Sequence, residues 1–331
     1  MKRIIDNIYL YKTEMMGVAI LILMIFHTSI PNFGGLKNLL EIGVDIFLFL
    51  GGFTCAISYD KCGSNNFMLY FKKRIWRILP PYLMLYCIIY AIEFLLKDNC
   101  NWSKFIGELT MWDNIVHNSI NMWYVPAVLI MYFLLPLYIM AHQRWEKILW
   151  LPILIILFLS ILTIFQNLEI LPFQMVWIRL PIFLLGVNFF LIKDFNLRLN
   201  HSLIIITSLI AFILYLLFDY WHLEVFKRFC YIPMVIAFVY FYNLNRCFKE
   251  FFKWAGVSSY ENYLSHWYIV KILYDYTAVY VVSYITSFPS LNYLCYYRLG
   301  IEILYVSVLS IPLALLFASS YHKLLNSFFY K

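Results

Sequence analysis

FHTSIPNFGGLKNLLEIGVDIFLFLGGF (26–53) is the stretch that decides how this chain folds. His27 lies near the end of one apolar run, a short loop with two glycines follows, and a second run has Asp45 near its start. An ionisable side chain at bilayer depth costs roughly 2.5–3.5 kcal/mol on insertion scales, so a histidine and an aspartate inside such runs are functional candidates. KKRIWRILPPY (72–82) then crowds Lys72, Lys73, Arg74 and Arg77 ahead of a third run.

The rest of the chain has the same character. Of its 331 residues 63% are hydrophobic and only 13% charged, where a soluble domain carries roughly 25% charge. A spanning helix needs about 20 mainly apolar residues. The expected fold is all-α: a polytopic membrane protein with about ten transmembrane helices, at 15–31, 42–59, 78–96, 122–141, 149–166, 176–192, 203–219, 229–245, 258–285 and 300–320. No internal repeat or soluble segment interrupts them, so residues 1–331 read as a single transmembrane domain. The first run lacks an A-x-A-like cleavage site and reads as a retained span.

Charge orients the array. With the N-terminus inside, 17 lysines and arginines fall in the inner segments and 6 in the outer ones. The positive-inside rule therefore puts both termini in the cytoplasm. The net charge of +7 is explained by those loops. No basic block stands on a soluble surface, and nucleic acid is not an expected partner. Seven cysteines lack CxxC or His-paired spacing, so they read as small buried hydrophobes and no metal is expected. The lipid bilayer is the surrounding partner, and nothing in the sequence decides for or against an oligomer.

Depth links the histidine and the aspartate. His27 lies ~18 Å up the first span from Met15, and Asp45 ~21 Å above the inner end of the second at Tyr59. Two readings follow. In one, Asp45 orients His27, which takes a proton from a substrate. In the other, His27 bonds a backbone carbonyl and Asp45 caps its helix. The cationic run also has two readings. Positive-inside anchoring accounts for such charge, while Arg74 and Arg77, three apart, share a helix face and could grip phosphate. Pro80 and Pro81 are expected to break or kink the helix just beyond.

Further polar residues have the same ambiguity. Trp123 and Tyr124 suit an interfacial belt or a sugar-stacking surface. Arg179 either snorkels outward or meets an anionic acceptor. Glu261 and His266 sit on different faces of the ninth span, in its inner half and below reach of His27, as packing groups or channel lining. Lys271 lies deeper and either snorkels or pairs with Glu261 or Asp275, one helical turn or more away.

Taken together, GVAILILMIFH (17–27), GVDIFLFLGGF (43–53), FKKRIWRILPPY (71–82), MWYVPAVLIMYFLLPL (122–137) and VSSYENYLSHW (257–267) resemble, in order, the acyltransferase-3 family of integral membrane acyltransferases. That resemblance implies an O-acyltransferase of the bacterial cytoplasmic (inner) membrane. Acetyl-CoA or another acyl-CoA would be the co-substrate. The acceptor would be a hydroxyl of an envelope polysaccharide or lipid-linked glycan. His27 would be catalytic with Asp45 as partner, and Arg74, Arg77 and the adjacent Lys73 would hold the CoA phosphates. The sequence departs from the pattern at Met16, where many members have an arginine. A transporter or flippase, or an inactive member of the family, is the competing expectation.

Overall fold

A computed structural model describes residues 2–28, 36–63, 66–96, 102–117, 122–164, 173–192, 200–242, 246–273 and 298–329. The described residues form helices and no strand: α1 (Lys2–His27), α2 (Leu36–Leu39), α3 (Ile42–Cys62), α4 (Phe67–Leu96), α5 (Trp102–Leu109), α6 (Trp112–Val116) and α7 (Tyr124–Arg144). A 3-10 turn at Glu146–Trp150 leads into α8 (Leu151–Ile164), α9 (Gln174–Leu191), α10 (His201–Tyr220), α11 (Glu224–Phe241), α12 (Arg246–Val257), α13 (Ser259–Ile272) and α14 (Arg298–Phe329).

The protein is an all-α polytopic membrane protein. Among the described residues eight stretches are long and apolar enough to cross a bilayer, within α1, α2–α3, α4, α7, the 3-10 turn with α8, α9, α10 and α14. Helix α11 stands where the 229–245 span was expected, but it takes in Lys227 and Arg228 near its start. Helix α13 covers the start of the 258–285 span, and residues 274–285 lie outside the described set. On α10, Leu203, Ile206, Leu209, Ile210, Ile213 and Leu217 are all exposed. A face of that kind is stable against hydrocarbon and costly against water.

Two sequence expectations are corrected here. The cationic run is not a loop before a span, because α4 starts at Phe67 and Lys72 to Arg77 form its early turns. Nor do Pro80 and Pro81 break the helix, which continues to Leu96. Proline inside a membrane helix is tolerated because neighbouring groups re-satisfy the freed backbone.

The chain divides into two compact units: Met1–Lys12 with Asp45–Asn243, and Thr13–Val44 with Leu244–Lys331. In the first, α3 and α9 run parallel and touch backbone to backbone. A Cβ on Gly52 would strike the carbonyl of Phe183, and one on Gly186 the carbonyl of Phe49. Phe49–Phe189 and Phe53–Phe190 edge contacts flank the crossing. Glycine is what permits so close an approach between membrane helices. Helices α10 and α11 form a hairpin, and α4 packs on α7. Asn7 Nδ2 donates to the carbonyls of Val239 and Tyr240, at 3.0 and 2.9 Å, satisfying acceptors at the end of α11.

The second unit repeats the device. A Cβ on Gly17 would meet the carbonyl of Phe252, and one on Gly256 the carbonyl of Thr13. These two glycines bring α1 and α12 into backbone contact. Helix α13 continues beyond Ser258 and packs on α14, where Trp254 Nε1 on α12 also donates to Ser319 Oγ at 3.2 Å.

Candidate functional site

His27 is the last residue of α1 and is partly buried. Its ring packs on those of Phe26, His266 and Trp267, with centroids 4.9, 5.0 and 5.4 Å away. Lys37 Nζ donates to the carbonyl of Thr28 at 2.7 Å, which brings α2 to the residue after His27. The contact with His266 corrects the expectation that His266 lies out of reach. The depth count started the ninth span at residue 258, whereas the helical path beside α1 already begins at Arg246. From the paired glycines, both histidines lie ten residues on, His27 from Gly17 and His266 from Gly256. Parallel helices in that register bring the two rings to one level.

His266 is 3% exposed. Its Nδ1 lies 3.0 Å from the Asn262 carbonyl oxygen and 2.8 Å from that of Tyr263. A carbonyl only accepts, so in the neutral ring Nδ1 carries the proton and Nε2 the lone pair. That Nε2 is buried with no hydrogen-bond partner among the described residues. One turn earlier, Glu261 Oε1 pairs with His322 Nδ1 at 2.7 Å. The sequence alone does not single out His322, which falls just past the expected end of the last span. Asp275, the other acidic group weighed near Glu261 and Lys271, lies outside the described residues.

In the first unit Asp45 is 2% exposed and belongs to the first turn of α3, inside the helix rather than capping it. Its Oδ2 accepts from Arg179 Nη1 at 3.0 Å and from Arg228 Nη1 at 3.3 Å. Burying a carboxylate is expensive unless it is paired and hydrogen-bonded, and two guanidiniums on one oxygen meet that requirement. Arg179 is therefore held inward, at 4% exposure, instead of snorkelling. Its guanidinium also lies 5.2 Å from the centre of the Trp123 ring. Tyr124 follows as the first residue of α7. Arg228 escaped the sequence reading because it was counted as loop charge. The signal was its place at the edge of an apolar run.

Arg74 and Arg77 do not share an environment. Arg74 is buried, donates to the Thr54 carbonyl at 3.1 Å, and lies against the Tyr132 and Tyr70 rings at 5.4 and 5.8 Å. Its Nε has no hydrogen-bond partner among the described residues. Arg77 and Lys73 are exposed, with Lys73 Nζ 3.8 Å from Cys62 Sγ. The helix thus presents one guanidinium inward and three cations, Lys72, Lys73 and Arg77, outward. Such a set can offer an anion both a fixed donor and mobile charge.

An acyltransferase-domain family model, that of acyltransferase 3, matches residues 15–321, nearly the whole chain. No curated protein and no solved structure matches.

Proposed function

Because the chain belongs to the acyltransferase-3 family, we propose that it moves an acyl group, most simply acetyl, from cytoplasmic acyl-CoA to a hydroxyl of an extracytoplasmic glycan or lipid-linked sugar. The setting is the cytoplasmic membrane of a bacterium, with both termini inside. In this reading Arg74, with Arg77 and Lys73 outside it, binds the phosphates of CoA. His27 removes the proton of the acceptor hydroxyl, whose oxygen attacks the thioester carbonyl directly; the CoA thiolate leaves and takes that proton back. Asp45 contributes by fixing Arg179 and Arg228. Trp123, Tyr124 and Arg179 provide two aromatic rings, set edge to face, with a guanidinium donor for the acceptor.

The observation that carries the proposal is the placement of His27 at the end of a membrane-spanning helix, against His266 and Trp267, inside the matched region. The test is transfer of label from radiolabelled acetyl-CoA to envelope material in cells carrying the wild type or His27→Ala at equal expression. Transfer lost with His27→Ala supports the reading. Equal labelling removes His27 as the base, and solute movement without acyl transfer favours a transporter.

A further inference from the structure

We propose that His266 is the positioning partner of His27, a role it fills through Nε2. This rests on the reading of His27 as the base.

Three observations converge. The glycine contact between α1 and α12 sets a register in which each histidine falls ten residues past its glycine, so the rings meet at 5.0 Å. Two backbone carbonyls pin Nδ1 of His266 as the protonated nitrogen. Its Nε2 is consequently an acceptor by construction, buried and without a hydrogen-bond partner among the described residues. A buried acceptor left unsatisfied is costly and calls for a donor. The ring separation leaves room for one N–H···N bond of about 2.9 Å once the nitrogens face each other. The donor is the N–H of His27, brought round by rotation of its partly buried ring.

That bond fixes the His27 tautomer. One ring nitrogen donates to His266, and the other presents its lone pair to the acceptor hydroxyl. When the O–H bond breaks, the proton goes to His27, and the resulting imidazolium donates a stronger, charge-assisted bond to His266 Nε2. The new C–O bond forms as the C–S bond breaks, and the proton passes from His27 to the CoA sulfur. His266 holds no proton in transit and exchanges none.

Two substitutions separate this role from packing. His266→Gln keeps an acceptor near the place of Nε2 but loses the Nδ1–H. His266→Asn keeps a donor to the Asn262 and Tyr263 carbonyls but loses the distant acceptor. Both are compared with wild type and His27→Ala in membrane vesicles supplied with radiolabelled acetyl-CoA, at equal amounts of monodisperse protein. The expected result is that His266→Asn lowers kcat about 10- to 100-fold with KM for acetyl-CoA unchanged, while His266→Gln stays within a few-fold of wild type. Full activity of His266→Asn, or equal loss in both variants, overturns the proposal. If His27→Ala is inactive and both His266 variants match wild type, this inference alone fails. If His27→Ala is fully active, the reading of the base fails instead.

A readout independent of turnover is histidine-selective nitrogen NMR in lipid nanodiscs. The His266 Nε2 resonance is expected at the unprotonated position and displaced by His27→Ala. A protonated Nε2, or one indifferent to His27, overturns the proposal whether or not transfer is detected.

Discussion

Asp45 and Arg179 form their 3.0 Å ion pair from matching positions, each seven residues before a glycine of the α3–α9 crossing. Seven residues is close to two helical turns, so each side chain returns to the face its glycine occupies. Contact at Gly52 and Gly186 therefore delivers the carboxylate to the guanidinium with no further adjustment. Asp45→Asn leaves the buried Arg179 and the largely buried Arg228 against a neutral amide. It should cost about 3 kcal/mol or more of stability, read as a lower melting temperature in detergent, and lower acyl transfer with it. An unchanged melting temperature would mean that the pair contributes little.

Gly186→Ala tests the crossing itself. The added methyl meets the backbone of Phe49, which cannot swing aside as a side chain can. A loss of about 1–3 kcal/mol is expected. Gly51, one position from the contact, has open space and should accept alanine freely. Comparing Gly186→Ala with Gly51→Ala by thermal unfolding checks both expectations.

Arg74 and Arg77 should separate in behaviour. Arg77→Gln changes an exposed group and should leave stability within about 0.5 kcal/mol. It should weaken acyl-CoA binding by calorimetry, more so at low salt, because exposed charges are screened. Arg74→Gln removes a buried donor to Thr54 and a cation held between two tyrosines. Both stability and affinity should fall. Wild-type affinity in both variants would move the phosphate site elsewhere.

Glu261 and His322 make a smaller wager. His322 keeps 24% of its side chain exposed, so part of the attraction is lost to solvent. Glu261→Gln retains an oxygen acceptor for Nδ1 and should cost no more than about 1 kcal/mol in thermal unfolding. Glu261→Leu, which leaves the imidazole without its acceptor, should cost more.

Much of the architecture was legible from composition and run length, since apolar stretches near 20 residues have few alternatives to spanning helices. His27 and Asp45 stood out for the same reason, as polar exceptions inside such runs. What escaped was register. Nothing local to VSSYENYLSHW says that His266 climbs to the level of His27, because that height is fixed by Gly17 meeting Gly256 on another helix. Likewise the helix containing KKRIWR begins at Phe67 because Lys72, Lys73 and Arg77 keep to the exposed side while Arg74 turns inward to the Thr54 carbonyl, an option a hydropathy count does not weigh. Arg228 was hidden by the positive-inside tally, which treats every basic residue at a span edge as loop charge.

The two prolines within α4 carry a mechanical consequence. Pro80 and Pro81 have no N–H to give, so two successive rungs of that helix are missing between its cationic turns and the tyrosine end, where Tyr82 donates to the Glu108 carbonyl at 2.6 Å and Tyr86 to its carboxylate. The rod bends most easily at that point. Tyr82 and Tyr86, held through Glu108, fix the helix beyond the proline step, so bending there displaces the cationic turns rather than the tyrosines.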